Sequence, residues 1–110
     1  MAIYEEFEID KGSTFRYKIN LKEDDENPYN ISDFTIVGQI RRNYKSSTVA
    51  ATFTATNPNP GEILLVLSDE QTASLTEKRY VYDVVIESPI GERYRVIEGT
   101  VTVTPAVTQF

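Results

Sequence analysis

Apolar and polar residues alternate along most of this chain, and the alternation predicts strands. It runs through residues 15–21, 34–41, 49–55, 79–87 and 93–104. A period of two places one side chain in a core and the next in solvent, which is typical of half-buried strands. Glycine and proline stand in several of the breaks between these segments, as expected of turns.

Two other segments have a different pattern. Ile63 to Leu67 is apolar at all five positions, which suits a strand that is covered on both faces or lies in the centre of a sheet. Ser68 to Gln71 fits a capping box. In this motif the side chain of the first residue accepts a hydrogen bond from the amide three residues later, and the side chain of that later residue accepts one from the amide of the first. We therefore expect one helical turn here, which Ala73 and Leu75 could pin to the end of the domain.

The whole pattern predicts about eight short strands and one helical turn, a spacing typical of sandwiches and barrels. A chain of 110 residues is long enough for one hydrophobic core and too short for two domains. We expect a single all-β domain over residues 1–110, an antiparallel β-sandwich of immunoglobulin-like or jelly-roll-like type. Phe15 and Tyr82 are predicted to be core residues, and Gly99 to mark a bulge or bend in the last strand.

The composition excludes several classes of function. The chain has no cysteine and no histidine, so it lacks zinc-knuckle ligands and the usual general base. Its formal charge of −6 disfavours nucleic acid as a partner, because binding to phosphates depends on basic residues. No apolar stretch approaches the roughly 20 residues of a membrane helix, and no signal peptide is visible. We expect no enzymatic activity, no cofactor, no metal and no membrane partner.

Two acidic features could carry chemistry, and each also has a structural interpretation. Residues 23–27 offer oxygen ligands that Ca²⁺ prefers, but their spacing is not that of a calcium loop, so a solvated loop is favoured. Asp83 lies inside a strand-like segment and could act as a catalytic acid in a small hydrolase. An ion pair with Arg93 or Arg95 on the neighbouring strand is the favoured interpretation.

Two further features concern binding. Tyr80, Tyr82 and Tyr94 could form a platform for sugars, although aromatic residues at alternate strand positions are more often core. Residues 99–104 carry no charge and are rich in threonine. They could form an edge strand that pairs with another chain, or a strand paired on both sides within its own sheet. The sequence leaves these two alternatives open, and the same holds for strand addition by the two tails.

Several segments have a family resemblance when they are taken in order. Gly12–Phe15 is similar to a "G-D-T-F" opening, Gln39–Arg41 to "Q-I-R", Leu67–Ala73 to "L-S-A-E-E-T-A", Tyr80–Val84 to "Y-V-Y-D-L", and Glu98–Pro105 to "E-G-x-V-x-V-x-P". In this order they resemble small virion proteins of tailed phages and prophages. Those proteins are similar to the β-sandwich adaptor domain at the start of upper-baseplate proteins that carry receptor-binding proteins.

The resemblance implies a non-enzymatic structural protein of the virion, assembled in the host cytoplasm. It would be present in multiple copies in the tail, baseplate or fibre-attachment region, with other virion proteins and copies of itself as partners. A capsid-decoration protein is a close variant, and a carbohydrate- or receptor-binding module is an alternative. We expect contacts through sheet edges, loops and termini. The candidate interface residues are Ile3, Tyr4, Glu5, Glu6, Asp24, Asp25, Tyr29, Val107, Thr108 and Phe110.

Overall fold

Strands dominate the structure. The computed structural model describes residues 2–22 and 29–107, and nine strands and one helix lie in these two ranges. The predicted all-β class is confirmed, with two short strands (β5 and β6) where a single run over residues 49–55 was expected. The elements are β1 (Ile3–Tyr4), β2 (Phe7–Asp10), β3 (Phe15–Asn20), β4 (Thr35–Arg41), β5 (Val49–Thr52), β6 (Thr54–Thr56), β7 (Glu62–Leu67), α1 (Asp69–Ala73), β8 (Arg79–Glu87) and β9 (Arg93–Thr104).

The strands form two hydrogen-bonded sheets. The larger sheet has the order β1-β9-β8-β4-β5, with β2 also paired to β9, and the smaller sheet has the order β3-β7-β6. Most neighbours are antiparallel, but β1 and β2 run parallel to β9. The prediction of a wholly antiparallel domain is therefore wrong at the N-terminal edge. The reason is topological: β2 lies beside the last strand before the chain crosses to the smaller sheet at residues 11–14.

The buried side chains of both sheets form one hydrophobic core. Alternate side chains of the strands point into this core. Strand β7, which contains the apolar run from Ile63 to Leu67, lies in the centre of the smaller sheet, and one of its faces is buried in the core. Tyr82 is a core residue as predicted, whereas Phe15 is only half-buried and packs against the core from its margin. Fully buried members from the two sheets include Ile9, Ile40, Ile63, Leu65, Leu67, Val84, Ile97 and Val101.

An aromatic cluster joins the two sheets. The ring of Phe7 in the larger sheet stacks on Tyr82, with centroids 4.2 Å apart. The same ring lies 4.7 Å from Tyr17 and 5.1 Å from Phe15 in the smaller sheet. Phe53, between β5 and β6, meets Tyr82 edge-on at 6.1 Å. Because such pairs add about 0.5–1.5 kcal/mol each beyond the area they bury, the cluster stabilises the contact between the sheets.

Gly99 makes room for the N-terminal segment instead of forming the predicted bulge. The register of β9 shifts at Val96, so the expected position of the bulge was wrong. A Cβ atom at Gly99 would lie 1.9 Å from the carbonyl oxygen of Glu5. That oxygen accepts a hydrogen bond of 2.7 Å from the hydroxyl of Tyr82, and the Glu5 amide donates to the carbonyl of Glu98 at 2.9 Å. The backbone between β1 and β2 is thereby held against the larger sheet.

The predicted capping box begins α1. The amide of Gln71 donates to Ser68 Oγ at 3.1 Å, and the amide of Ser68 donates to Gln71 Oε1 at 2.9 Å. Leu75 is buried beyond the helix as expected. Ala73 is exposed, and Thr72 is the helix residue that faces inward, so the prediction for Ala73 was wrong. A five-residue helix spans little more than one turn, and its register decides which single residue is buried.

Thr72 fastens the helix to the turn between β2 and β3. Its Oγ1 atom accepts a hydrogen bond from the amide of Gly12 at 3.0 Å and donates to the carbonyl of Ser13 at 2.9 Å. The side chain is fully buried. These bonds connect residues about sixty positions apart in the chain, so Thr72 fixes the position of α1 relative to both sheets.

The connections gather at two ends of the domain, whose principal extents are 43 × 28 × 21 Å. At one end the start of β4 pairs with the end of β8, and the end of β8 with the start of β9. The amide of Leu21 bonds the carbonyl of Gly61 there, and the amide of Tyr29 bonds the carbonyl of Leu21. We name residues 20–22, 29–35, 57–62 and 87–93 the loop end. The helix end comprises residues 10–14, 41–48, 68–79 and 104–107.

Candidate interaction surfaces

The N-terminal candidates lie along one edge of the larger sheet. Ile3 and Tyr4 are exposed on β1, and Glu6 is exposed in the gap before β2. Glu5 is half-buried, since its backbone is bound to the sheet as described above. The outer edge of this segment carries the carboxylates of Glu5, Glu6 and Glu8. Charged side chains on a free edge hinder pairing with another strand, so this edge is poorly suited to strand addition.

Tyr29 lies at the loop end close to Tyr94, which the sequence analysis considered as part of a platform for sugars. Tyr29 packs edge-on against Phe34, with ring centroids 6.1 Å apart, and is 39% exposed. Tyr94 is 45% exposed and close to Tyr29. The charge of the Glu92 carboxylate, which also accepts a hydrogen bond from Tyr94, raises the pKa of Tyr94, and Tyr29 adds to the shift. Two tyrosine side chains with polar tips therefore face solvent together.

The β8–β9 turn, residues Ser88–Glu92, presents the most exposed apolar side chain of the loop end. Ile90 is 81% exposed. The turn is braced by three hydrogen bonds: from the Gly91 amide to the Ser88 carbonyl, from the Ser88 amide to the Glu92 carbonyl, and from the Glu92 amide to Ser88 Oγ. Sequence reasoning assigned these residues only a turn. The available signal was an isoleucine at the tip of a Ser-Pro-Ile-Gly turn, where a polar residue is usual.

Two clefts lie at the helix end. The Val107 cleft has a volume of about 810 Å³ and is bordered by residues 10–13, Asp69, Glu70, Ala73 and Pro105–Val107. Val107 itself is 98% exposed. The Pro105 cleft has a volume of about 360 Å³ and is lined by Lys11, Leu75, Thr76, Glu77, Lys78, Val103 and Pro105. Because Leu75 and Val103 are buried core residues, the base of this second cleft is apolar. Its charged residues are Lys11, Lys78 and Glu77, and the Glu77 carboxylate forms an ion pair with Arg42.

The remaining candidates lie outside the described residues. They are Asp24 and Asp25 in the acidic loop and Thr108 and Phe110 at the C-terminus. The calcium interpretation of residues 23–27 falls on the same undescribed loop. Among the residues that the structure does describe, no three metal-ligating side chains form a group. Within the same ranges, no helix has the length and apolar character that a membrane span requires.

Asp83 forms the ion pair that the sequence favoured. Its carboxylate lies 3.2 Å from Arg95 Nε, and Arg95 also reaches Glu98 at 3.7 Å. Arg93 pairs instead with Glu87. All of these side chains lie on the outward face of the larger sheet and are partly exposed. Exposed ion pairs are worth about 0–1 kcal/mol each, so these pairs orient the charged side chains on this face and contribute little to stability.

The uncharged segment 99–104 is not an edge. It belongs to β9, which pairs with β8 on one side and with β1 and β2 on the other. Its backbone groups are therefore bonded within the sheet, and the edge interpretation was wrong.

The three tyrosines considered as a platform for sugars do not lie together on the surface. Tyr80 and Tyr82 are core residues, as the favoured interpretation held, and only Tyr94 of the three faces solvent.

Comparisons with known proteins support the fold and assign no family. No protein-family model matches the chain, and no curated protein matches it. Among solved structures it is similar to the crystal structure of the titin M3 domain, with a TM-score of 0.52 and 13% identity over 93% of this chain and 90% of that one. That domain is immunoglobulin-like. The fold defined by the two sheets is therefore all-β and immunoglobulin-like.

Two details of β8 agree with this likeness. The hydroxyl of Tyr80 accepts a hydrogen bond of 2.9 Å from the amide of Glu77, which is the tyrosine-corner arrangement at the start of the sixth strand of immunoglobulin domains. Two residues later, where antibody domains place a disulfide cysteine, this chain has Tyr82. Its ring stacks on Phe7 of the same sheet, and Phe7 in turn contacts Phe15 and Tyr17 of the smaller sheet.

Proposed function

We propose that this chain is a non-enzymatic structural protein of a tailed-phage virion. It assembles in several copies in the tail, baseplate or fibre-attachment region and binds copies of itself and other virion proteins. The part of the proposal that assigns the chain to a virion is supported by the resemblance of its motifs, in their order, to small phage virion proteins. The observation that carries the proposal is an elongated domain with large apolar side chains exposed at both ends, among them Ile90 and Val107.

The physical role is that of a rigid building block. The two sheets share one core, and the aromatic cluster, the tyrosine corner and Thr72 hold their relative positions. Such a scaffold presents its end residues with little loss of conformational entropy on binding. Each contact is small, but many copies in one assembly turn weak contacts into a durable attachment. The candidate interface residues of the N-terminal edge and of the loop end belong to this surface.

The test is the location and copy number of the chain in purified particles. We expect quantitative mass spectrometry to find it in a fixed number of copies per particle, and electron microscopy to place it on the tail or baseplate. A position on the head would favour the capsid-decoration variant. Absence of the chain from particles whose other structural proteins are complete would contradict the proposal.

A carbohydrate- or receptor-binding module is a second candidate, and the pair Tyr29 and Tyr94 favours it. Exposed aromatic side chains with polar tips, next to the Glu92 carboxylate, suit a ligand that has both apolar and hydroxyl faces. We expect binding on a glycan array to disappear in Tyr94→Ala and to persist in Tyr44→Ala, an exposed tyrosine at the other end. Equal glycan signals from these two variants would contradict this alternative.

A further inference from the structure

The charges of the described residues differ between the two ends of the domain. At the helix end, six basic side chains stand among four carboxylates, and at the loop end four carboxylates stand among two basic side chains. The ion pairs between described residues do not include Lys11 or Lys78. Opposite charge at opposite ends of one chain favours head-to-tail contact between copies and disfavours contact between like ends.

The shapes of the two ends are also complementary. At the loop end, the β8–β9 turn projects Ile90, flanked by Pro89 and followed by the carboxylate of Glu92. At the helix end, the Pro105 cleft has an apolar base, and two lysines line it together with Glu77, whose carboxylate forms an ion pair with Arg42. A braced turn with one apolar side chain and one carboxylate fits a cleft that has an apolar base and lining residues of net positive charge.

We propose that copies of this chain associate end to end. The β8–β9 turn of one copy binds in the Pro105 cleft of the next, where Ile90 covers Leu75 and Val103 and Glu92 faces Lys11 and Lys78. The contact uses a different surface on each partner, so repetition gives a ring if the rotation closes and an open filament if it does not. The inference rests on the proposed function only for the multicopy setting.

The turn and the cleft offer few side chains, so a single contact is weaker than a standard interface of about 1,600 Å². We therefore expect the purified full-length chain to be monomeric when dilute and to gain mass at about 1 mM, the affinity range of small transient contacts. Sedimentation velocity at low ionic strength measures this. A chain that stays monomeric at about 1 mM overturns the inference.

Charge reversal tests the register of the contact. Glu92→Lys and Lys78→Glu should each weaken association about tenfold or more, because each places like charges together. The double variant Glu92→Lys/Lys78→Glu should recover most of the loss, since its own ends are again complementary. Ile90→Asp should abolish association, and Tyr44→Asp, an exposed turn residue outside the Pro105 cleft, should leave it unchanged. Equal effects of Ile90→Asp and Tyr44→Asp, or no recovery in the double variant, overturn the inference.

Cross-linking gives a second measurement, because the chain has no cysteine of its own. A disulfide needs Cβ atoms about 3.5–4.5 Å apart, so only residues in contact form one readily. Mixing Ile90→Cys with Thr76→Cys, a position in the Pro105 cleft, should give the mixed dimer as the main product under mild oxidation. A product dominated by either symmetric dimer contradicts head-to-tail contact.

The outcomes separate this inference from the proposed function. A chain that is monomeric when purified but present in particles refutes the end-to-end contact and leaves the virion role in place. End-to-end association of a chain that is absent from particles refutes the virion role and supports the contact.

Discussion

Gly99→Ala tests how the N-terminal segment is held. The new Cβ would lie 1.9 Å from the Glu5 carbonyl oxygen and 2.8 Å from its carbon, both backbone atoms. Real carbon–oxygen contacts are longer by more than about 1 Å, so the Glu5 backbone must move away from β9. The movement separates Glu5 from its two partners, the hydroxyl of Tyr82 at 2.7 Å and the carbonyl of Glu98 at 2.9 Å.

The cost follows from these two hydrogen bonds. Each is worth about 0.5–1.5 kcal/mol net, and a buried polar group left without a partner costs about 1–3 kcal/mol. Tyr82 is almost fully buried, so its hydroxyl loses more than an exposed one would. We expect Gly99→Ala to lower the free energy of unfolding by about 2–4 kcal/mol, even though alanine suits a strand better than glycine does.

Urea denaturation measures the loss, and hydrogen exchange of the Glu5 amide reports its location. Thr100→Ala is the matched control, because that side chain lies on the outward face of the same strand, and it should cost less than about 0.5 kcal/mol. In a Tyr82→Phe background, Gly99→Ala should cost about 1 kcal/mol less, because the shared hydrogen bond is already gone. A Gly99→Ala protein with normal stability and normal protection at Glu5 would refute this account of the close approach.

Three further predictions concern the core, the helix attachment and alkaline pH. Phe7→Ala should cost about 3–5 kcal/mol in urea melts, and Phe15→Ala clearly less because Phe15 is only half-buried; equal costs would show that burial does not set the difference. Thr72→Val keeps the shape but removes the bonds to the β2–β3 turn, so it should cost about 1–3 kcal/mol, and an unchanged melt would contradict that role. Burial raises the pKa of Tyr82 above its usual 10.0, so the folded state holds this proton more tightly than the unfolded state does. Stability should therefore fall as pH rises above 10.0, and Tyr82→Phe should fall less steeply than wild type.

The structural features that were predicted correctly from the sequence depend on residues close together in the chain. Alternation identified the buried face of β8, with Tyr80, Tyr82 and Val84, because a period of two directly sets the direction of side chains. The capping box at Ser68 was also found, since its two hydrogen bonds join residues three positions apart. The favoured partner of Asp83 was found for a similar reason, because β8 and β9 are joined by a short turn and pair directly.

What the sequence did not predict depends on contacts between distant segments. The parallel pairing of β2 with β9 joins residues more than ninety positions apart, and no local pattern encodes it. The role of Gly99 depends on where Glu5 crosses the sheet, and local features predicted a bulge instead. The run over residues 49–55 alternates without a break, yet the chain leaves the larger sheet at Phe53 and joins the smaller one.

The candidate surfaces changed for a related reason. Sheet edges were an expected site of contact, but the free edges of the described residues are poorly suited to strand addition. The β1–β2 edge carries carboxylates, and β3 carries Arg16 and Lys18. The other two edges are short: β5 has four residues and an irregular register at Ile40, and β6 has three residues. Short, charged and irregular edges are the devices by which natural sheets avoid pairing with one another. The exposed apolar side chains at the two ends have no such protection, which is why the proposed assembly uses the ends of the domain and not its edges.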